Sequence, residues 1–208
     1  CHGKIFAAAM ENKFQPSWTT FCSRHGNIFW LSTDKLIQDG DEMGHVGAAE
    51  LFKQTLNENG LLTYFIQTHH GDYGEYPPLF ASALGGWWAL IETPPDHVSM
   101  RLFGLVWIAI TAMATAAFVK RLNGPSEIAY LGILFAPMLN GVGRHYMPET
   151  MVAAFCALFA ASSLRYYQHP TKTNAFVAGC LFGLGMLTKQ TFVLTAFPLL
   201  ILMFRKGT

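Results

Sequence analysis

Charge is what this sequence has least of. Only 13% of its 208 residues are Asp, Glu, Lys or Arg, against about 25% in an ordinary soluble domain. A surface wetted on all sides needs more than that. The formal net charge is +1, so no overall field recruits nucleic acid or an acidic partner. Cysteine is sparse as well. Cys1, Cys22, Cys156 and Cys180 form no CxxC pair and no zinc spacing, and the last two lie in apolar runs. Free structural thiols are the reading, not a disulfide framework or a zinc module. The chain shows no signal-peptide pattern of charged start, apolar core and small-residue cleavage site. Residues 1–38 are weakly patterned and contain no run long enough to cross a bilayer. The chain opens on Cys1 without Met and closes on a charged RKGT, so a piece of a longer protein is expected.

Apolar runs fill the second half of the chain. LFGLVWIAITAMATAAFV (102–119) is 18 residues without a charge, near the minimum for a spanning helix. Further runs follow at about 128–142, 150–164, 174–188 and 191–204, each short or broken by Pro or Gly. None shows the polar face at period 3.6 that a soluble core helix carries. The expected fold is all-α, a polytopic membrane bundle of about five spans over 101–208. An extracytoplasmic loop with short interfacial helices is expected over 39–100, after an N-terminal segment 1–38 of unclear origin. Within the loop, VGAAELFKQTLNEN (46–59) has helical spacing and a stop at Asn59-Gly60. LFASALGGWWALI (79–91) is apolar but too short to cross, which suits an interfacial or re-entrant helix.

The few charges are ordered. Lys120-Arg121, Arg165 with Lys172, and Arg205-Lys206 follow the first, third and fifth runs. The positive-inside rule makes that side cytoplasmic. The QDGDEMGH stretch (38–45), Arg101, Arg144, Glu149 and Lys189 then share the opposite face. Ionisable residues at the ends of apolar runs are costly unless they are paired or functional. Gly179 and Gly183 form a GxxxG, which predicts helix packing.

Asp39, Asp41 and Glu42 crowd together and need a positive group or water among them. Counted from Asp39, residues 39–50 give most of an EF-hand loop, with Asp, Asp, Gly44 and Glu50 at the right places. Met43 offers no oxygen where that motif wants Asp or Asn, and no second loop is visible.

Asp41-Glu42, Tyr76-Pro77-Pro78-Leu79, Arg101-Leu102, Glu149 and Leu187-Thr188-Lys189 occur in this order. In that order and spacing the chain resembles the membrane glycosyltransferases of the protein O-mannosyltransferase type. It is similar also to their bacterial relatives that transfer aminoarabinose to lipid A. The resemblance covers about 39–206 and implies a GT-C-like fold without the C-terminal part of such enzymes. It implies transfer of a sugar, with inversion, from a polyprenyl-phosphate carrier to the hydroxyl of a lipid, protein or polysaccharide acceptor. The setting implied is the bacterial inner membrane, with the site facing the periplasm.

The resemblance puts Asp41 in the place of the base, with Glu42 beside it. Arg101 and Lys189 would meet the carrier's phosphate, with Tyr76, Arg144 and His45 as further substrate contacts. Glu149 would bind a metal, orient the acceptor or pair with Arg144. A divalent cation, magnesium or manganese, bridging Asp41 and Glu149 is one arrangement this allows. Relatives often carry Lys or His where Tyr76 stands, and Tyr or Phe where His45 stands. A transporter or lipid-handling protein without chemistry is the competing class, although it would place its ionisable residues nearer mid-helix.

Overall fold

Apolar sequence with internal hydrogen bonding satisfied turn by turn folds into helices, and the computed structural model contains helices alone among the residues it describes, 40–69, 77–91, 97–142 and 147–207. They are α1 (Gly40–His69), α2 (Leu79–Leu90), α3 (His97–Arg121), α4 (Ser126–Leu134), α5 (Pro137–Val142), α6 (Glu149–Gln168), α7 (Lys172–Thr188) and α8 (Phe192–Gly207). Every expected apolar run is helical. Among the described residues one helix, Val98–Arg121, is both long and apolar enough to cross a membrane by length and composition. The run at 128–142 is split into α4 and α5 because Pro137 disfavours helical geometry in the residue before it. α8 carries Pro198 in its interior, where one backbone donor is missing.

α1 departs from the sequence expectation in extent. Its helical backbone starts at Gly40 rather than at residue 46 and continues to His69. The expected stop survives as a break, since Gly60 takes φ 80° and ψ 176°. That left-handed φ is open to glycine and strained for other residues. A helix from Gly40 also removes the EF-hand reading, because that motif needs a turning loop where this chain is helical. The short apolar helix expected at 79–91 is present as α2. Its 12 residues span about 18 Å, too little to cross a bilayer.

α6 lies at the centre of the bundle, packed against α3, α7 and α8, while α1 packs along α2. Phe155 and Phe159 of α6, Phe103 of α3, Trp88 of α2 and Phe192 of α8 belong to one buried apolar cluster. α2 is tied to α3 by the Trp88 indole, which donates to Ser99 Oγ at 3.1 Å in a buried setting. The Tyr64 hydroxyl of α1 donates to the Ser82 carbonyl of α2. Burial pushes that phenol above its ordinary range, so it stays a donor at neutral pH. α3 ends where Asn123 adopts φ 58° and the Gly124 N–H bonds back to Val119 O at 3.0 Å, a left-handed helix stop.

Close helix approach depends on glycines other than the predicted pair. A Cβ on Gly179 or Gly183 would meet nothing within 4 Å, so the GxxxG packs against no described helix. Gly85 of α2 is different. A Cβ there would lie 2.5 Å from Ala49 O and 2.9 Å from Phe52 Cβ, with backbone unable to step aside. Gly85→Ala should therefore lower stability by about 1–3 kcal/mol. Gly86→Ala, whose nearest neighbour is Tyr64 Oη at 3.4 Å, should be close to neutral. Thermal unfolding of the two variants in detergent checks the contrast, and equal melting temperatures would refute it.

Candidate active site

Two helix ends bring an acid and a base together. Pro148 precedes α6 with φ −67° and is fully buried, so the chain enters the helix from a preset backbone. Glu149 is the first residue of α6. A carboxylate in that turn faces the positive end of the helix dipole. Lys189 caps the C-terminus of α7 in an extended conformation, φ −160° and ψ 135°. Its Nζ donates to Glu149 Oε1 in an ion pair. The Lys189 side chain is 27% exposed and that of Glu149 39%, so the pair sits at the boundary of the bundle. Sequence reasoning offered Glu149 a metal, an acceptor or Arg144; the described partner is Lys189.

The turn that carries Lys189 is held from both sides. Its N–H bonds to Gly185 O at 3.2 Å, and its carbonyl accepts from Phe192 N–H at 3.0 Å. Thr188, buried, donates its hydroxyl to Leu184 O at 3.0 Å. The Phe192 ring lies where a Cβ on Gly185 would be, about 2.5 Å away. Phe159 and Phe182 flank the same ring at centroid distances of 6.1 and 5.9 Å. Only glycine at 185 lets the turn close this tightly, and the tight turn sets the Lys189 ammonium over the start of α6.

Glu149 has a second oxygen, Oε2, that is buried and accepts no hydrogen bond from the described residues. A buried carboxylate oxygen without a donor is costly, and it is the unsatisfied acceptor of the site. The side chain of Asp41, the other expected ligand of a bridging ion, lies outside the described ones. A divalent ion at Glu149 would compete with the Lys189 ammonium for the same carboxylate. No group of three or more His, Cys, Asp or Glu able to hold a metal occurs among the described residues.

The remaining candidates are placed unevenly. Arg101, on α3, is buried at 2% exposure instead of reaching along the surface. The first turns of α3 and α6 nonetheless border one small cavity of about 10 Å³, lined by Met100, Phe103, Met147 and Thr150. His45 is buried in α1 and meets Phe80 of α2 edge-on at 5.3 Å. It packs there as an aromatic ring. Asp41 and Glu42 fall in the first turn of α1, but their side chains lie outside the described ones; Asp39, Tyr76 and Arg144 lie outside the described residues altogether.

Sequence reasoning passed over two tryptophans. Trp87 and Trp107 each bury an indole N–H that has no acceptor among the described residues. Both pack on Phe103, at centroid distances of 6.1 and 5.9 Å. The double Trp after Gly85-Gly86 was the available signal.

The Glu149–Lys189 pair should show measurable coupling. In a double-mutant cycle of Glu149→Gln and Lys189→Met, an interaction term on the order of 1 kcal/mol is expected from thermal unfolding, a value set by partial exposure. Strict additivity of the two variants would mean that the pair contributes nothing.

The comparisons with known proteins fall on the same helices. No curated protein and no solved structure gives a significant match to the chain. The profile of the dolichyl-phosphate-mannose-protein mannosyltransferases matches residues 75–207, well over half of the chain. That span contains Arg101, Glu149 and Lys189 and begins after Asp41-Glu42. The chain belongs to the dolichyl-phosphate-mannose-protein mannosyltransferase family of membrane glycosyltransferases.

Proposed function

We propose that this chain forms part of an inverting glycosyltransferase that moves one sugar from a polyprenyl-phosphate carrier to an acceptor hydroxyl. The reaction takes place on the membrane face opposite the basic loops, the periplasmic face of a bacterial inner membrane. The observation that carries this reading is the Glu149–Lys189 pair, an ammonium and a carboxylate oxygen without a donor, fixed at the end of an apolar bundle.

The chemistry makes three demands. The acceptor oxygen must lose its proton as it bonds to the anomeric carbon. Asp41 takes that proton, and Glu42 supports it. The bond from the anomeric carbon to the phosphate oxygen breaks on the opposite side, and the carrier leaves as a phosphate carrying additional negative charge. Lys189 and Arg101 supply positive charge for that moment, Lys189 as a point charge and Arg101 through the field of a buried guanidinium. Sugar or acceptor must also be oriented before the bond forms. Glu149 does this twice over, holding Lys189 with Oε1 and accepting a substrate hydroxyl at Oε2. Tyr76 and Arg144 complete the donor contacts. His45 supports α1 against α2 and thereby the helix that begins beside Asp41.

Transfer of labelled sugar from a polyprenyl-phosphate donor, measured in membranes containing the full-length protein, tests the assignment. Asp41→Asn should reduce turnover by about 10²–10⁴-fold while membrane insertion stays intact. Lys189→Met should reduce it through the leaving group, so a carrier with a less basic leaving phosphate analogue should be less affected. Normal turnover by Asp41→Asn would remove Asp41 from the base role.

A further inference from the structure

The other end of the bundle has a polar feature of its own. An open cavity of about 270 Å³ is bordered by α3, α6 and α7. Arg121, Arg165 and Asn174 line it close to their helix ends, and Leu158, Val177 and Leu181 line it farther along. Leu158 precedes Arg165, and Leu181 follows Asn174, by two helical turns, so the cavity extends roughly 10 Å along the helices. One end is cationic and the other apolar.

Both guanidiniums are available. Arg121 and Arg165 engage in hydrogen bonds through their backbone carbonyls, Arg121 O accepting from Gln168 Nε2 at 3.1 Å and Arg165 O from His169 N–H at 2.9 Å. Neither side chain has a salt bridge among the described residues. The nearby carboxylate in sequence, Glu127, accepts from Ser126 Oγ at 3.0 Å. Asn174 Nδ2 donates to His169 O at 2.8 Å, which fixes the amide beside the two arginines.

We infer that this cavity binds an anionic phospholipid, its phosphate between Arg121 and Arg165 and the start of an acyl chain along Leu158, Val177 and Leu181. Charge complementarity selects an anion, and planar guanidiniums suit phosphate. Apolar walls select a lipid over a free anion. The position agrees, because Arg121 is the last residue of the helix long enough to cross the membrane, so the cavity opens at the level where headgroups lie. The inference goes beyond the proposed transfer reaction and does not depend on it. The site is at the opposite ends of α6 and α7 from Glu149 and Lys189.

Native mass spectrometry of the full-length protein in neutral detergent, titrated with phosphatidylglycerol or phosphatidylcholine, tests the site. Phosphatidylglycerol should bind in preference. Arg121→Gln with Arg165→Gln should weaken that binding roughly thirtyfold, and the corresponding double Lys variant, which keeps the charge but not the planar fork, should weaken it less. Lys172→Gln removes a charge at the same end from a residue that does not line the cavity, and should change binding less than threefold. Equal binding of phosphatidylcholine to the parent protein would overturn the inference. So would a Lys172→Gln loss as large as that of the double Gln variant, which would indicate diffuse surface charge. Displacement of phosphatidylglycerol by inorganic phosphate at equal concentration would overturn it too, by assigning the site to a free anion. The parent-protein arms decide even where the Gln variant does not fold.

Discussion

An ionised side chain at the centre of a bilayer costs at least about 2.5–3.5 kcal/mol, and the arrangement of this chain follows from avoiding that cost. Residues 101–208 contain nine Lys or Arg and only two carboxylates, Glu127 and Glu149. The apolar stretches between them leave these charges at helix ends. Glu127 is exposed beside Lys120 at the basic end. Glu149 is left as the acidic residue of the other end within this half of the chain, and it meets Lys189 there. By sequence order, six cations share the basic end with Glu127, and three, Arg101, Arg144 and Lys189, share the other with Glu149.

The Glu149–Lys189 pair depends on apolar contacts that carry no charge. Phe192 occupies the space beside Gly185, and the aromatic side chains of α6 and α7 close around it. Pro148 fixes the start of α6 from the other side. Rigid supporting contacts are how a site keeps its side chains in place. The ion pair adds little stability by itself at this exposure. Its use lies in where it holds the ammonium.

Much of the fold was legible because hydrophobic length and Pro or Gly interruptions are written directly in a sequence. The five apolar runs, the short helix before Arg101 and the break at Gly60 are of that kind. The start of α1 was not legible. Gly44 and Gly47 weaken the local helix signal, and packing against α2 overrides it. The glycine contacts failed for a related reason. Gly179 and Gly183 match a spacing rule, but Gly185 is constrained by a ring seven residues later in a reversed helix. No periodic pattern encodes that. At the site, Glu149 and Lys189 were recognisable by their cost in an apolar context. Their partnership was not, because forty residues separate them and Arg144 stood closer in sequence.

The turn between α7 and α8 is three residues long, Lys189 to Thr191. Each residue in a helix advances by about 100°, so one inserted or deleted residue in this turn would rotate Phe192 off Gly185 and aim the ammonium at a different neighbour. Substitutions at Gln190 or Thr191, both exposed, leave that geometry alone. The length of the turn, more than the identity of its outer residues, is thus what decides where the ammonium sits.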